Sequence, residues 1–204
     1  MTSYTLRHAN PAKTRSDAVV VGVLQTAKGV ELAPGAEDVA QAYGRKLRPL
    51  LATLGVKGKP GEVTKVPTSG ALSTPLLVLV GLGKEATPTA VRRAAGAAAR
   101  AATNAASVAL ALPADSPELV RAVVEGHLLG GYTFTTYKKD SKSEPTGAGE
   151  VVVLSQVARR KETVEAFETA QVVARAVATT RDWVNMPPGD LTPPAFADVV
   201  SGAV

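Results

Sequence analysis

The chain contains no cysteine, and this absence excludes a set of chemistries. Disulfide bonds, iron–sulfur clusters, thiolate zinc sites and cysteine nucleophiles all require a thiol. Histidine is nearly as scarce, with only His8 and His127. Neither has a partner at H-x-x-x-H or H-E-x-x-H spacing, and no G-x-S-x-G nucleophile motif occurs. The sequence therefore predicts no histidine zinc site and no serine triad, and we expect His127 to be a satisfied or half-exposed helix residue.

Aromatic residues are also few, at 4% of the 204 residues, so valine, leucine and alanine must build the core. No apolar run approaches the roughly 20 residues of a membrane span. The first residues, MTSYTLRHANPAKTR, lack the apolar segment of a secretory signal and are expected to be loose. We therefore expect a cytoplasmic protein with no membrane contact. The length suffices for one domain with its own core.

Four short apolar runs rich in β-branched residues predict buried strands, at residues 17–24, 75–80, 107–112 and 150–154. An edge strand is predicted at residues 62–66, and a further possible strand at 133–137 before a lysine-rich loop. Apolar periodicity predicts helices over residues 37–54, 88–102, 117–130 and 161–184, and a last helix from Pro193 with Thr192 as its N-cap. Strands that alternate with helices indicate an α/β fold, with a sheet covered by helices on both faces.

One strand passes through glycines into a helix, in the stretch LVGLGKEAT. Such a turn can hold an anion with backbone N–H groups. The motif is incomplete, because neither G-x-x-x-x-G-K-[ST] nor G-x-G-x-x-G is present. The sequence therefore favours a tight structural turn around Gly81 and Gly83 over a phosphate site.

Basic residues are in excess, with a net charge of +5 and a pI of about 9.6. Two groups are candidates for nucleic-acid contact: Arg92, Arg93 and Arg100 on one predicted helix, and Lys138, Lys139 and Lys142 in the loop after the possible strand. The scarcity of aromatics argues against stacking on single strands. A solvated surface is the favoured interpretation, and weak, sequence-independent duplex binding remains the alternative.

The segments GLGK, EGHLLGGYTFTTYK and TRDWVNMPPGDLTPPAFAD, in this order and spacing, resemble the N-terminal domain of the leucyl (cytosol) aminopeptidase family of two-metal peptidases. The most specific part is close to the pattern R-[DN]-L-x-N-x-P-x-N-x-x-x-P, which in the family leads into the catalytic domain. Its matching residues are Arg181, Asp182, Asn185, Pro187, Leu191, Thr192 and Pro193. Trp183 replaces the usual leucine, and Gly189 the usual asparagine.

The resemblance implies a macro-domain-like, three-layer fold with a mixed sheet over residues 1–180, and a helix end with a prolyl linker over 181–204. It also implies a downstream catalytic domain that binds two divalent metal ions, zinc or manganese, and that cleaves N-terminal leucine from peptides within a hexamer. The family's metal-binding run, similar to NTDAEGR, does not occur here, so no catalytic, metal or cofactor residue is assigned to this chain. Some bacterial members also bind DNA, which keeps a DNA-binding or regulatory module as the alternative.

Overall fold

The computed structural model describes residues 2–137 and 147–202. A mixed sheet contains all the strands in these ranges: β1 (Ser3–Arg7), β2 (Ala18–Thr26), β3 (Gly29–Leu32), β4 (Val63–Pro67), β5 (Leu76–Gly83), β6 (Ser107–Ala111) and β7 (Glu150–Leu154). The helices there are α1 (Glu37–Tyr43), α2 (Leu47–Thr53), α3 (Pro88–Ala101), α4 (Pro117–Gly130), α5 (Lys161–Asn185) and α6 (Pro193–Ser201).

The strand order is β1-β7-β6-β2-β5-β4, and β3 pairs with the end of β2. The first five strands of this order run parallel to one another: β1, β7, β6, β2 and β5. At the edge next to β5, β4 is antiparallel. All four predicted buried strands lie in this sheet, and the predicted edge strand is β4. Continuous valine and leucine runs are the pattern expected of parallel strands with both faces covered.

Helices cover both faces of the sheet, which confirms the predicted three-layer α/β fold. On one face, α3, α4 and α5 contribute Val91, Val123 and Phe167 to the larger core cluster. On the other face, α1 and α2 contribute Val39 and Leu51 to a second cluster. Among the described residues, no helix combines the length and the apolar character that a membrane span requires.

Helices α3 and α4 pack backbone against backbone through glycines. A Cβ at Gly126 would overlap the carbonyl oxygen of Arg92, and a Cβ at Gly130 would overlap the backbone of Gly96. Both helices begin at a side-chain cap, since Thr87 and Ser116 accept hydrogen bonds from the backbone N–H of the third residue beyond each. The close contact leaves little freedom in how the two helices cross.

Three expectations were wrong. The amino-terminal residues expected to be loose form β1, because Ser3–Arg7 finds a parallel partner in β7 at the other end of the sequence. The helix predicted over residues 37–54 is interrupted at Gly44, where φ is +52°. Pro49 explains the interruption, since its ring excludes the carbonyl of Arg45 from a continuous helix. Residues 133–137 form no strand.

Candidate docking surface on the last two helices

The carboxyl half of α5 extends beyond the core that its amino half helps to build. Thr163, Phe167, Ala170 and Ala174 are its buried residues, and none of the eleven residues after Ala174 in this helix is buried. Near its end, the side chain of Val184 is 80% exposed. This half of the helix is therefore held by few apolar contacts.

Helix α6 contacts the end of α5 through a pair of aromatic rings. The rings of Trp183 and Phe196 meet edge to face with centroids 5.5 Å apart. No residue of α6 is buried, and Phe196 remains 44% exposed. The helix begins at Pro193, as predicted, but the Thr192 side chain makes no capping hydrogen bond. We call Trp183, Val184 and Phe196 the α5–α6 surface.

A set of polar contacts, the tyrosine clasp, fixes the segment after α4 to α5. It consists of Tyr132, Arg181, Asp182 and Asn185. The Tyr132 hydroxyl donates to Asp182 Oδ1 at 2.7 Å and accepts from Asn185 Nδ2 at 3.3 Å. The Arg181 guanidinium lies 5.4 Å from the centre of the Tyr132 ring and donates to the Leu129 carbonyl at 3.1 Å. The clasp thus orients the part of α5 that leads to the α5–α6 surface.

A second tyrosine continues this attachment. Tyr137 donates its hydroxyl to Asp190 Oδ2 at 2.5 Å, which ties the end of the same segment to the turn between α5 and α6. The pKa of Tyr132 is raised above its usual value by loss of solvent contact and by its bond to Asp182, so the hydroxyl keeps its proton and donates.

Sequence reasoning found only one side of the clasp. Arg181, Asp182 and Asn185 were identified through the family pattern, without a role, and Tyr132 and Tyr137 were not identified. Composition could have pointed to these two tyrosines. Only 4% of the residues are aromatic, yet Tyr132, Phe134 and Tyr137 fall within six positions.

The basic residues that are candidates for nucleic-acid contact have different surroundings. Arg92 pairs with Glu125, which is buried and also binds Arg121, with nitrogen to oxygen distances of 2.9 and 2.6 Å. Arg93 and Arg100 are exposed on α3. Lys138, Lys139 and Lys142 lie outside the described residues. Duplex binding through the exposed arginines stays a prediction, and titration of a labelled duplex at low and moderate salt tests it.

The glycine turn is occupied by the protein's own backbone. Gly81 and Gly83 donate their N–H groups to the carbonyls of Glu62 and Gly58 at 2.8 and 2.9 Å. A Cβ at Gly81 would overlap the carbonyl of Lys59, so the glycine is required for this approach. These N–H groups are not available to an anion, which favours the structural interpretation of the turn.

The two histidines have different hydrogen-bond partners. His8 follows β1, and its Nδ1 lies 3.3 Å from the Gln156 carbonyl oxygen. His127 is buried in α4 with its Nδ1 2.7 Å from the Tyr4 hydroxyl, and its Nε2 has no hydrogen-bond partner among the described residues. In the same residues, no three His, Asp or Glu side chains gather in a group that fits a metal ion.

Comparison with known proteins gives one family. The profile described as "Cytosol aminopeptidase family, N-terminal domain" matches residues 20–141. The probable cytosol aminopeptidase of Streptomyces griseus is 44% identical, over 100% of this chain and 43% of the relative. That of Streptomyces coelicolor is 42% identical, over the same shares. This chain thus spans less than half the length of these curated relatives.

Solved structures show the same fold. A mutant of tomato leucine aminopeptidase matches 99% of this chain and 42% of its own, with a TM-score of 0.80 and 19% identity, which shows the fold alone. The bottromycin maturation enzyme in complex with manganese matches 91% of this chain and 35% of its own, with a TM-score of 0.66 and 30% identity.

Proposed function

Because this chain belongs to the cytosol aminopeptidase family, we propose that it is the non-catalytic N-terminal domain of a leucyl aminopeptidase. The whole protein would release N-terminal amino acids, preferentially leucine, from peptides. The names of the relatives support this activity and a cytoplasmic location. In this proposal residues 1–180 are the domain, and residues 181–204 are the helix end and prolyl linker.

Two divalent metal ions, zinc or manganese, would supply the hydrolytic chemistry by activating a water molecule and polarising the peptide carbonyl. The residues that the structure describes do not fit such a site. The described part of the chain brings no three carboxylate or imidazole side chains together, and the full sequence contains no run similar to NTDAEGR. We therefore assign no step of hydrolysis to this chain.

The observation that carries the proposal is the α5–α6 surface. Val184 and Phe196 expose apolar area at the end of a helix that the clasp holds in place, and the relatives continue well beyond the length of this chain. We propose that the catalytic domain covers this surface. The clasp would then set the angle at which the two domains meet.

Assembly and access to the active site follow as the proposed role. A rigid first domain, attached at a defined angle, would help to arrange a hexamer of the whole protein and would shape the entrance through which peptides reach the catalytic domain. The proline-rich turn supports the fixed angle, because each proline restricts its own φ and the conformation of the residue before it.

A leucine-anilide assay with added manganese or zinc tests the proposed division of labour. The 204-residue chain is expected to show no turnover, whereas a version extended through the downstream domain is expected to be active. A catalytically silenced extended version, in which the metal-binding run is substituted, is the control for contaminating peptidases. Turnover by the 204-residue chain that survives purification would overturn the proposal.

A further inference from the structure

A cavity of about 370 Å³ lies on the α1–α2 face of the sheet, under the amino-terminal segment. Its floor contains Val152 and Leu154 of β7, which belong to the core cluster of that face. One wall is formed by residues 9–16, which connect β1 to β2. The cavity is separate from the α5–α6 surface, and no part of the proposed function uses it.

The lining contains three cationic side chains. Arg7, Lys13 and Arg15 are all exposed, and none makes an ion pair or side-chain hydrogen bond within residues 2–137 and 147–202. Elsewhere in these ranges, Arg48, Arg92, Arg121 and Lys161 have a carboxylate partner, whereas Arg93 and Arg100 have none. Glu150 is the one acidic residue in the described lining. The cavity therefore has an excess of positive charge that the described chain does not neutralise.

The hydroxyl groups around the cavity already donate hydrogen bonds within the protein. Thr14 donates to the Asn10 carbonyl at 2.8 Å, Ser16 to the Ala18 carbonyl at 3.0 Å, and Ser107 to Asp17 Oδ2 at 3.0 Å. A compact anion such as phosphate is typically held by hydroxyl and backbone N–H donors at close range. Long, exposed arginine and lysine side chains suit an extended anion with several separated charges better.

The shape of the floor supports an extended ligand. From Glu150 to Leu154 the strand rises about 13 Å, at about 3.3 Å per residue. This length corresponds to four or so residues of extended peptide. The floor offers a narrow aliphatic contact, since Val152 and Leu154 are 7% and 5% exposed, and the three cations line the same cavity.

We propose that this cavity binds an extended acidic peptide segment of a partner protein. Aliphatic side chains of the segment lie over Val152 and Leu154, and its carboxylates face Arg7, Lys13 and Arg15. The charge complementarity supplies orientation and speeds association more than it adds affinity, so the interaction is weak and depends on salt.

The test is fluorescence anisotropy with the 204-residue chain and a labelled acetyl-Glu-Leu-Glu-Leu-Glu-amide peptide at low and moderate salt. The double variant Arg7→Gln with Arg15→Gln is expected to weaken binding roughly tenfold, at about threefold for each exposed charge. Glu150→Gln is expected to tighten binding, because it removes a repulsive carboxylate from the lining. The matched control is Arg93→Gln with Arg100→Gln, which removes the same charge from exposed positions on α3.

Three results would overturn the proposal. Equal weakening by the two double variants would mean that net charge alone attracts the peptide. Equal binding of the same peptide with glutamine in place of glutamate would exclude recognition of carboxylates. Tighter binding of a labelled duplex through Arg7 and Arg15 would make the cavity a nucleic-acid site instead. Thermal melting of each variant confirms that the fold is retained.

Discussion

At the scale of single residues, His127 is the group whose surroundings most alter its chemistry. Its imidazole is buried against the Tyr4 hydroxyl, and burial lowers its pKa from 6.5 to about 4. Burial also raises the pKa of Tyr4, so the phenol stays protonated beside it. The pair holds β1 to α4 through a neutral hydrogen bond.

This environment predicts a loss of stability in mild acid. Between pH 6.5 and about 4 the unfolded chain binds a proton at His127 that the folded chain excludes, so stability falls as the pH falls through this window. His127 alone would account for about 3 kcal/mol of lost unfolding free energy by pH 4, at 1.36 kcal/mol per pKa unit. Urea unfolding monitored by circular dichroism at pH 7 and pH 4 measures the change.

The control replaces both partners, as Tyr4→Phe with His127→Leu, so that neither is left buried with an unpaired polar group. This variant lacks the titrating group, and its stability is expected to fall less between the two pH values. If both proteins lose the same free energy, the acid sensitivity lies in other groups and the assignment to His127 fails.

At the scale of secondary-structure elements, the contact between α3 and α4 sets two effects against each other. Gly126→Ala improves helix propensity by about 1 kcal/mol. The added methyl group overlaps the Arg92 carbonyl, and a forced shift of packed elements costs about 1–3 kcal/mol or more. Because the obstacle is backbone rather than a flexible side chain, we expect the overlap to dominate and the variant to melt at a lower temperature.

Gly131→Ala is the matched substitution. Gly131 follows the same helix with φ of −85°, and the nearest atom to an added Cβ is the His127 carbonyl oxygen at 3.4 Å. Its melting temperature is expected to stay close to that of the parent chain in differential scanning calorimetry. A stabilised Gly126→Ala protein would show that α3 and α4 separate easily.

The elements also show what sequence patterns capture. Apolar runs identified the four buried strands because parallel strands in a covered sheet are hydrophobic on both faces. Ser3–Arg7 gave no such signal, since β1 is an edge strand whose hydrogen bonds depend on a partner about 147 positions away. The pattern of residues 133–137 predicted a strand that does not form. Tyr137 at their end bonds instead to Asp190 in the turn after α5, and Tyr132, just before them, bonds to Asp182 of α5.

At the scale of the whole molecule, the proposed docking of a catalytic domain predicts that one substitution has different effects in two proteins. Val184→Asp is expected to leave the 204-residue chain unchanged, because that side chain is 80% exposed. In the version extended through the downstream domain, the same change would bury a charge and remove apolar contact, a loss of about 2 kcal/mol or more. Thermal melting and leucine-anilide turnover of both proteins measure it.

Val172→Asp is the control, since Val172 is 65% exposed on the same helix and about 18 Å from Val184 along its axis. It is expected to be neutral in both proteins. Docking at the α5–α6 surface would be wrong if Val184→Asp were equally neutral in the extended protein.

The candidate docking surface was only partly predictable. The prolines and the apolar spacing of Phe196, Val199 and Val200 predicted α6 and its start, because these are local signals. The tyrosine clasp joins residues about 50 positions apart through side chains, and no local period encodes such a contact. The arginines of α3 show the same limit. Their sequence spacing placed Arg92 and Arg93 in one group, but Arg92 forms an ion pair with Glu125 on α4 and Arg93 does not.

The pairing of β1 with β7 also has a consequence for how the protein is made. The strand Ser3–Arg7 leaves the ribosome well before the strand that pairs with it, Glu150–Leu154. At about 5–20 residues per second, its partner is synthesised roughly 7–30 seconds later. During that interval Tyr4 and Leu6 lack the strand that β1 pairs with, so we expect this edge of the sheet to close only after β7 has been made. Nascent chains that stop before residue 150 should therefore expose this amino-terminal segment to chaperones and proteases.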